Sequence, residues 1–280
     1  MTNTLLQIDH AGKSYPSFTL KDASLKVESG QIVGLVGRNG AGKSTLIKLI
    51  LGLAKLESGT ISFPRFQGDP RQQIGYIPEE LWTYENLKIQ ALLDFLSRIY
   101  ARFDGQRASG LLKEFDLDPN DTIRLLSKGM RAKLFLVITL SHSARLLILD
   151  EPLSSLDPVT RTQFWSVIRA EVDQGAGVLI SSHLLEDLEQ QVNDIVMIDQ
   201  GEIRFDQSAR SLLNTWRSVR FEAPAAVEAG TRIRRIGPNR YQMVIQAETE
   251  VRPRLEAQGA TNISVEPASL NDIFLHLCQR

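Results

Sequence analysis

Short apolar runs closed off by glycines and charged residues punctuate the chain: Ile32–Val36, Ile74–Ile77, Leu146–Leu149, Val178–Ile180 and Ile195–Ile198. Runs of this length, bounded by turn residues, predict buried strands. Helical patterns separate several of them, and that alternation predicts a mainly parallel sheet with crossover helices. Phe18–Val27 and Gly59–Phe63 read as antiparallel additions. Between Glu80 and Ser143 the pattern turns mostly helical. There Leu92, Phe95, Leu96, Ile99, Tyr100 and Phe103 fall on one face of a single helix. That face predicts the core of a helical subdomain; a groove for a partner helix is the alternative.

After about Asn214 the pattern changes again. Arg217–Phe221, Tyr241–Ile245 and Ile263–Val265 read as strands, Glu250–Gln258 and Leu270–Leu277 as helices. Ala223–Gly230 and the Gly237–Pro238 pair supply turn signals. The expected organisation is an α/β domain over 1–214, with its helical subdomain at about 80–143, and a small α+β extension over 215–280. Arg232, Arg234 and Arg235 cluster in that extension, and nearby glutamates fit them to a solvated strand edge.

Composition narrows the function classes. Hydrophobic residues make up 42% and charged residues 23% of the 280, ordinary for a folded soluble protein. A net charge of −1 gives no support for a nucleic-acid-binding surface, which carries a basic excess. The single cysteine, Cys278, forms no internal disulfide and has no metal-ligand spacing, which fits a reducing cytosolic home. Met1–Tyr15 shows no secretory apolar core. The longest apolar run, Leu134–Leu140, falls far short of the roughly 20 residues that span a bilayer. Work at a membrane would need a second polypeptide.

The strongest chemical signal is Gly37-Arg38-Asn39-Gly40-Ala41-Gly42-Lys43-Ser44, a full G-x-x-x-x-G-K-[ST] phosphate loop. Its glycines let successive backbone N–H groups turn inward toward phosphate oxygens. The helix that follows adds the positive end of its dipole. Lys43 would reach the β- and γ-phosphates, Ser44 would ligate Mg²⁺, and Thr45 would assist at the α-phosphate. A chance match in a chain this long is about one in a hundred from average residue frequencies. This one also sits between an apolar strand and a helix, as the mechanism demands.

A phosphate loop alone admits kinases, GTPases and many other NTPases. Leu146-Leu147-Ile148-Leu149-Asp150-Glu151 narrows the field, because it is a buried strand ending in two carboxylates. Asp150 is placed to hold Mg²⁺, and Glu151 to polarise the attacking water as general base. A solvated acidic turn is the alternative for this segment by itself.

With these residues in view, the chain resembles the ABC ATPases. Leu126-Ser127-Lys128-Gly129-Met130, about twenty residues before Asp150, is similar to their signature motif. Ser154-Ser155-Leu156-Asp157 is similar to their D-loop, and Ser181-Ser182-His183 to their switch-histidine region. Tyr15 stands where the family places an aromatic that stacks on adenine. The resemblance covers about residues 5 to 210, with each motif in order. It implies ATP and Mg²⁺ as cofactors, with His183 at the γ-phosphate and with Ser127 and Gly129 facing the ATP held by a second subunit. It also implies a homodimer or paired ATPase subunit, a separate transmembrane permease, and a peripheral place on the cytoplasmic face of the plasma membrane. Asp157 followed by Pro158 is equally a helix cap, and Ser127 starts a helix in any case.

Two positions depart from the family pattern. Glu79, in Ile74-Gly75-Tyr76-Ile77-Pro78-Glu79, stands where the family's Q-loop glutamine is usual; its carboxylate either ligates Mg²⁺ or repels the neighbouring acids. Lys128 replaces the signature's first glycine, and Met130 its glutamine. With the Pro267–Leu275 tail, these variants resemble the ABC-2-type branch, whose ATPase subunits commonly serve export in bacteria. A non-transport cytosolic ABC ATPase is the alternative, although it would bring tandem domains or a long coiled coil. A kinase leaves Leu126–Met130 and His183 unexplained.

Overall fold

The structure, a computed structural model, describes residues 3–80, 84–154, 156–183, 185–223, 233–246 and 250–278. Ser155 of the D-loop segment, Arg232 of the basic cluster and most of the Ala223–Gly230 turn lie outside them. The chain divides into two compact units, Met1–His183 with Ile195–Asp206, and Leu184–Asp194 with Gln207–Arg280.

The first nine strands are β1 (Thr4–Tyr15), β2 (Phe18–Glu28), β3 (Ile32–Val36), β4 (Ser58–Ser62), β5 (Ile74–Ile77), β6 (Leu146–Asp150), β7 (Gly177–Ser182), β8 (Asp194–Asp199) and β9 (Glu202–Ser208). With them run the helices α1 (Lys43–Ile50), α2 (Ile89–Ile99), α3 (Gly105–Glu114), α4 (Lys128–Ser141) and α5 (Pro158–Asp173). An antiparallel sheet has the order β2-β1-β4, and a six-stranded sheet the order β5-β6-β7-β3-β8-β9. In the latter, β5, β6, β7 and β3 run parallel. Every residue of β3, β6 and β7 is buried. That burial is why these strands read as continuous apolar runs and not as alternating patterns.

Register positions the site. Val36 pairs with Ser182, Asp150 with Ser181, and Ile77 with Leu149. The C-terminal ends of β3, β5, β6 and β7 therefore finish together, at the edge where open parallel sheets take their ligands.

The structure differs from the sequence pattern in three places. α2 stops at Ile99, because Tyr100 turns extended and stacks on His142 at 4.3 Å, so Phe103 lies beyond the helix. Ile89, Leu92 and Leu93 are buried, whereas Phe95 is 42% and Ile99 48% exposed, so only the first half of the expected face enters a core. The strand β1 gave no clean alternation, since its register shifts around His10, which has φ 53°. An irregularity of that kind moves side chains to the other face and erases period two.

The second unit holds α6 (Ala209–Thr215), β10 (Trp216–Glu222), β11 (Ile233–Gly237), β12 (Arg240–Gln246), α7 (Arg252–Ala257), β13 (Thr261–Pro267) and α8 (Leu270–Cys278). Its antiparallel sheet has the order β11-β12-β10-β13, which puts Arg234 and Arg235 on an edge strand. Val219, Phe221, Met243 and Ile245 form its apolar core with Val251, Leu255 and Ala260.

Candidate functional site

The turn between β3 and α1 is built by glycine. A Cβ at Gly37 would run into the Ile198 carbonyl, and one at Gly42 would lie 2.9 Å from the Phe18 ring at φ +117°. Gly40 also has positive φ, 80°, and the Ala41 N–H donates to the Arg38 carbonyl at 3.0 Å. The loop thus folds tightly enough for its backbone to face a ligand. Gly42 caps α1 and brings no side-chain acceptor to its first turn. The N–H groups at that helix start have no carbonyl one turn upstream and carry the positive end of the dipole.

These groups open on a cleft of about 890 Å³, lined by Tyr15, Asn39, Gly40, Gly42, Lys43, Ser44, Thr45, Glu79 and Glu151. Arg38 and Phe18, to which the sequence assigned no role, line it too. Tyr15 lies 40% exposed at the end of β1, with the Lys13 ammonium 5.4 Å from its ring centre. An exposed ring at the mouth of a cleft offers a stacking surface for a planar ligand.

At the floor, Lys43 is 6% exposed; its ammonium donates to the Gly37 carbonyl at 2.8 Å and lies 3.3 Å from Glu151 Oε1. Glu151 follows β6 directly and has φ 50°, a left-handed conformation that costs a residue with a Cβ about 1–2 kcal/mol. The turn aims its carboxylate back across the sheet edge. Glu151 Oε2 lies 2.7 Å from His183 Nδ1 and accepts the His183 N–H at 3.3 Å. Its Oε1 is buried and accepts no hydrogen bond, so the Lys43 contact there is electrostatic only. A buried carboxylate oxygen short of a donor is poised to take a proton or a hydrogen bond from a ligand.

Asp150, 4% exposed, accepts the Ser181 hydroxyl at 2.5 Å. The same Ser181 oxygen accepts the Glu151 N–H at 2.9 Å, so one serine on β7 holds both acids of β6. Tyr76 stands nearby on β5; burial, then the charges of Asp150 and Glu79, push its phenol up to about 12. Tyr76 therefore stays protonated. Glu79 is exposed and borders both the main cleft and a second hollow of about 620 Å³, which Leu126, Lys128 and Ser154 also line.

Among the described residues, no group of three or more His, Cys, Asp or Glu side chains is arranged to hold a metal. The donors predicted for Mg²⁺, Ser44, Asp150 and Glu79, suit instead an ion that completes its shell with water and phosphate oxygens. The glycine-lined cradle and the carboxylate oxygen without a donor fit a triphosphate and its cation.

Three predicted residues sit apart from that floor. Ser127 caps α4, its hydroxyl accepting the Met130 N–H at 3.2 Å, and Gly129 lies in the same first turn. Asp157 caps α5: Oδ1 accepts the Val159 and Thr160 N–H groups, and Oδ2 accepts the Thr160 hydroxyl at 2.6 Å. None of the three lines the main cleft. Ser181 and Tyr76, to which the sequence gave no role, emerged from strand register; the chain around each carries no local mark of it.

Comparison with known proteins adds the following. The family model described as ABC transporter matches residues 20–154. The ABC transporter ATP-binding protein YtrB of Bacillus subtilis (strain 168) is 36% identical over 189 residues, which are 66% of this chain and 65% of YtrB. The linearmycin resistance ATP-binding protein LnrL of the same organism is 32% identical over 210 residues, 71% of this chain and 68% of LnrL. A solved ATP-binding subunit of an ABC transporter superposes with a TM-score of 0.70 at 30% identity, covering 74% of this chain and 91% of that one.

Proposed function

The chain belongs to the ABC transporter ATP-binding proteins, and on that premise we propose that it hydrolyses ATP as one of two ATPase subunits that drive a separate membrane-spanning chain outward-directed in its transport. The single observation that carries this reading is the buried cluster of Lys43, Glu151 and His183 beneath a glycine-built cleft. No helix among the described residues is long and apolar enough to cross a membrane, so the translocation path belongs to another polypeptide.

In the proposed reaction, the loop N–H groups and Lys43 hold the β- and γ-phosphates. A phosphate oxygen takes over the Lys43 ammonium, and this frees Glu151 Oε1 to accept a proton from water. The water oxygen bonds to the γ-phosphorus as the bond to the ADP oxygen breaks, giving ADP and inorganic phosphate. His183, 2.7 Å from Glu151, orients that carboxylate and reaches toward the γ-phosphate. Mg²⁺, held by Ser44, Asp150 and Glu79, would neutralise phosphate charge. Tyr15 stacks on the base. Ser127 and Gly129 at the start of α4, with Asp157, face the nucleotide of the second subunit, so that closure sandwiches ATP between two chains.

Export rests on the Glu79 and Lys128 variants, the Pro267–Leu275 tail, and likeness to a protein named for resistance to linearmycin. The domain assignment proposed is an ATPase unit over 1–214 and an extension over 215–280.

Glu151→Gln tests the reading. It removes the base and leaves the cradle, so nucleotide affinity should persist while turnover falls about 10²–10⁴-fold. With ATP, the tagged variant should double in mass on a sizing column. From native membranes it should bring down a polytopic protein in stoichiometric amount. Wild-type turnover would remove Glu151 from its role; ribosomes or DNA in the eluate would replace the transport reading with a cytosolic one.

A further inference from the structure

The sheet of the second unit has two unlike faces. One is the apolar core already described. The other buries polar groups: Ser218 is 2% and Gln242 5% exposed. The Gln242 amide donates to the Ser218 hydroxyl at 2.7 Å and to Asp272 on α8 at 2.9 Å. The Arg234 guanidinium, on the edge strand β11, donates to the Gln242 carbonyl at 2.6 Å and stands 3.8 Å from Asp272. Four polar side chains in a unit this small are a costly way to fill space that aliphatic residues fill more cheaply.

Beside this network lies a recess of about 320 Å³, at the small end of the range for ligand pockets. Met243, Val244 and Leu275 give it apolar walls, and Arg234, Gln242, Asp272 and His276 give it polar edges. Asp272 is 14% exposed and already engaged by Gln242 and Arg234, so its charge is locally offset. Arg234 is half exposed and carries five donors, of which one hydrogen-bonds among the described residues. The recess therefore presents a cation beside an apolar wall, and its polar side is held in place by buried hydrogen bonds.

We infer that this recess is a binding site for a small amphipathic anion, with a short apolar body against Val244 and Leu275 and a single carboxylate or similar head on Arg234. The site lies wholly within the second unit and requires nothing of the nucleotide cleft, so its failure would leave the ATPase reading untouched.

Octanoate is the probe, with octylammonium as the opposite-charge control. Trp216 reports occupancy, since its ring lies 5.4 Å from that of His276. The chain has three tryptophans, so protein labelled with 5-fluorotryptophan gives three fluorine resonances, and Trp216→Phe assigns the relevant one. Octanoate should shift that resonance alone, saturably, with or without saturating ATP. Octylammonium should not. Arg234→Gln should weaken octanoate binding at least about tenfold, and Val244→Phe, which fills the recess, should abolish the shift while ATP turnover stays at the wild-type rate. A Trp216 resonance unmoved by millimolar octanoate, equal shifts from both probes, or a wild-type response in Val244→Phe would each overturn the assignment.

Discussion

The starts of α1 and α4 are both helix N-termini with an attraction for anions, yet they are finished in opposite ways. At α1 the capping residue is Gly42, no side chain closes the first turn, and the open N–H groups face a cleft. At α4 Ser127 supplies a hydroxyl to the Met130 N–H, and the turn is satisfied within its own chain. A missing side-chain cap alone does not mark a site: α2 also lacks one, but carbonyls of Asp121 and Pro119 take its first N–H groups. Only α1 combines an open first turn with a buried ammonium and an acid that has hydrogen-bonding capacity left. The lesson is that the chain completes α1 with a ligand, whereas α4 needs a second molecule to bring one to it.

The largest effect should come from the α1 side. Lys43→Ala removes the ammonium from the floor and leaves Glu151 as an uncompensated buried charge. Phosphate release should fall at least about 10²–10³-fold, with nucleotide affinity lost as well, measured by colorimetric assay and a fluorescent ATP analogue. Near-normal turnover would break the comparison outright.

Ser181→Ala probes the floor from β7. It deletes the hydroxyl shared by Asp150 and the Glu151 N–H, both buried. Stability should fall by about 1–3 kcal/mol in denaturant melts, with a parallel loss of turnover. Ser181→Thr, which retains the hydroxyl, should recover part of both.

Ser127→Ala sharpens the α4 side. Loss of the cap should cost about 0.5–2 kcal/mol. If α4 also serves a second subunit's nucleotide, turnover should fall further than that stability loss explains, and more at the protein concentrations where two chains associate. A turnover deficit independent of protein concentration would make Ser127 a structural cap only.

The smallest effect concerns α5. The Thr160 hydroxyl, then the Thr160 and Val159 N–H groups, hold the Asp157 carboxyl below its ordinary 3.8. A carboxyl lowered in the folded state adds stability that is present above its unfolded value and lost as pH falls through the native one. Asp157→Ala should therefore lower the melting temperature at neutral pH, and the gap to wild type should narrow in acid below the ordinary value.

Much of the fold was legible locally. Ile32–Val36, Ile74–Ile77 and Leu146–Leu149 announced themselves as strands because burial on both faces makes every position apolar. The small strands and helices after residue 214 were readable from turn residues and short alternations, but β11 was not, since its run carries two arginines on a sheet edge. α2 was overextended, because amphipathic spacing says which side a helix can bury and not how much of it finds a partner.

The sequence by itself determined the glycine loop, the acids at the end of β6 and the caps Ser127 and Asp157, since each depends on residues within a few positions of one another. Only the tertiary structure decided that Ser181 would bridge Asp150 and Glu151, that Lys43 would lie 3.3 Å from Glu151, and that Tyr76 would sit in the field of two acids. Those facts follow from the parallel register that ends β3, β5, β6 and β7 on one edge. Register is a property of strands far apart in the chain, selected by the packing of their buried faces, and no local pattern encodes it.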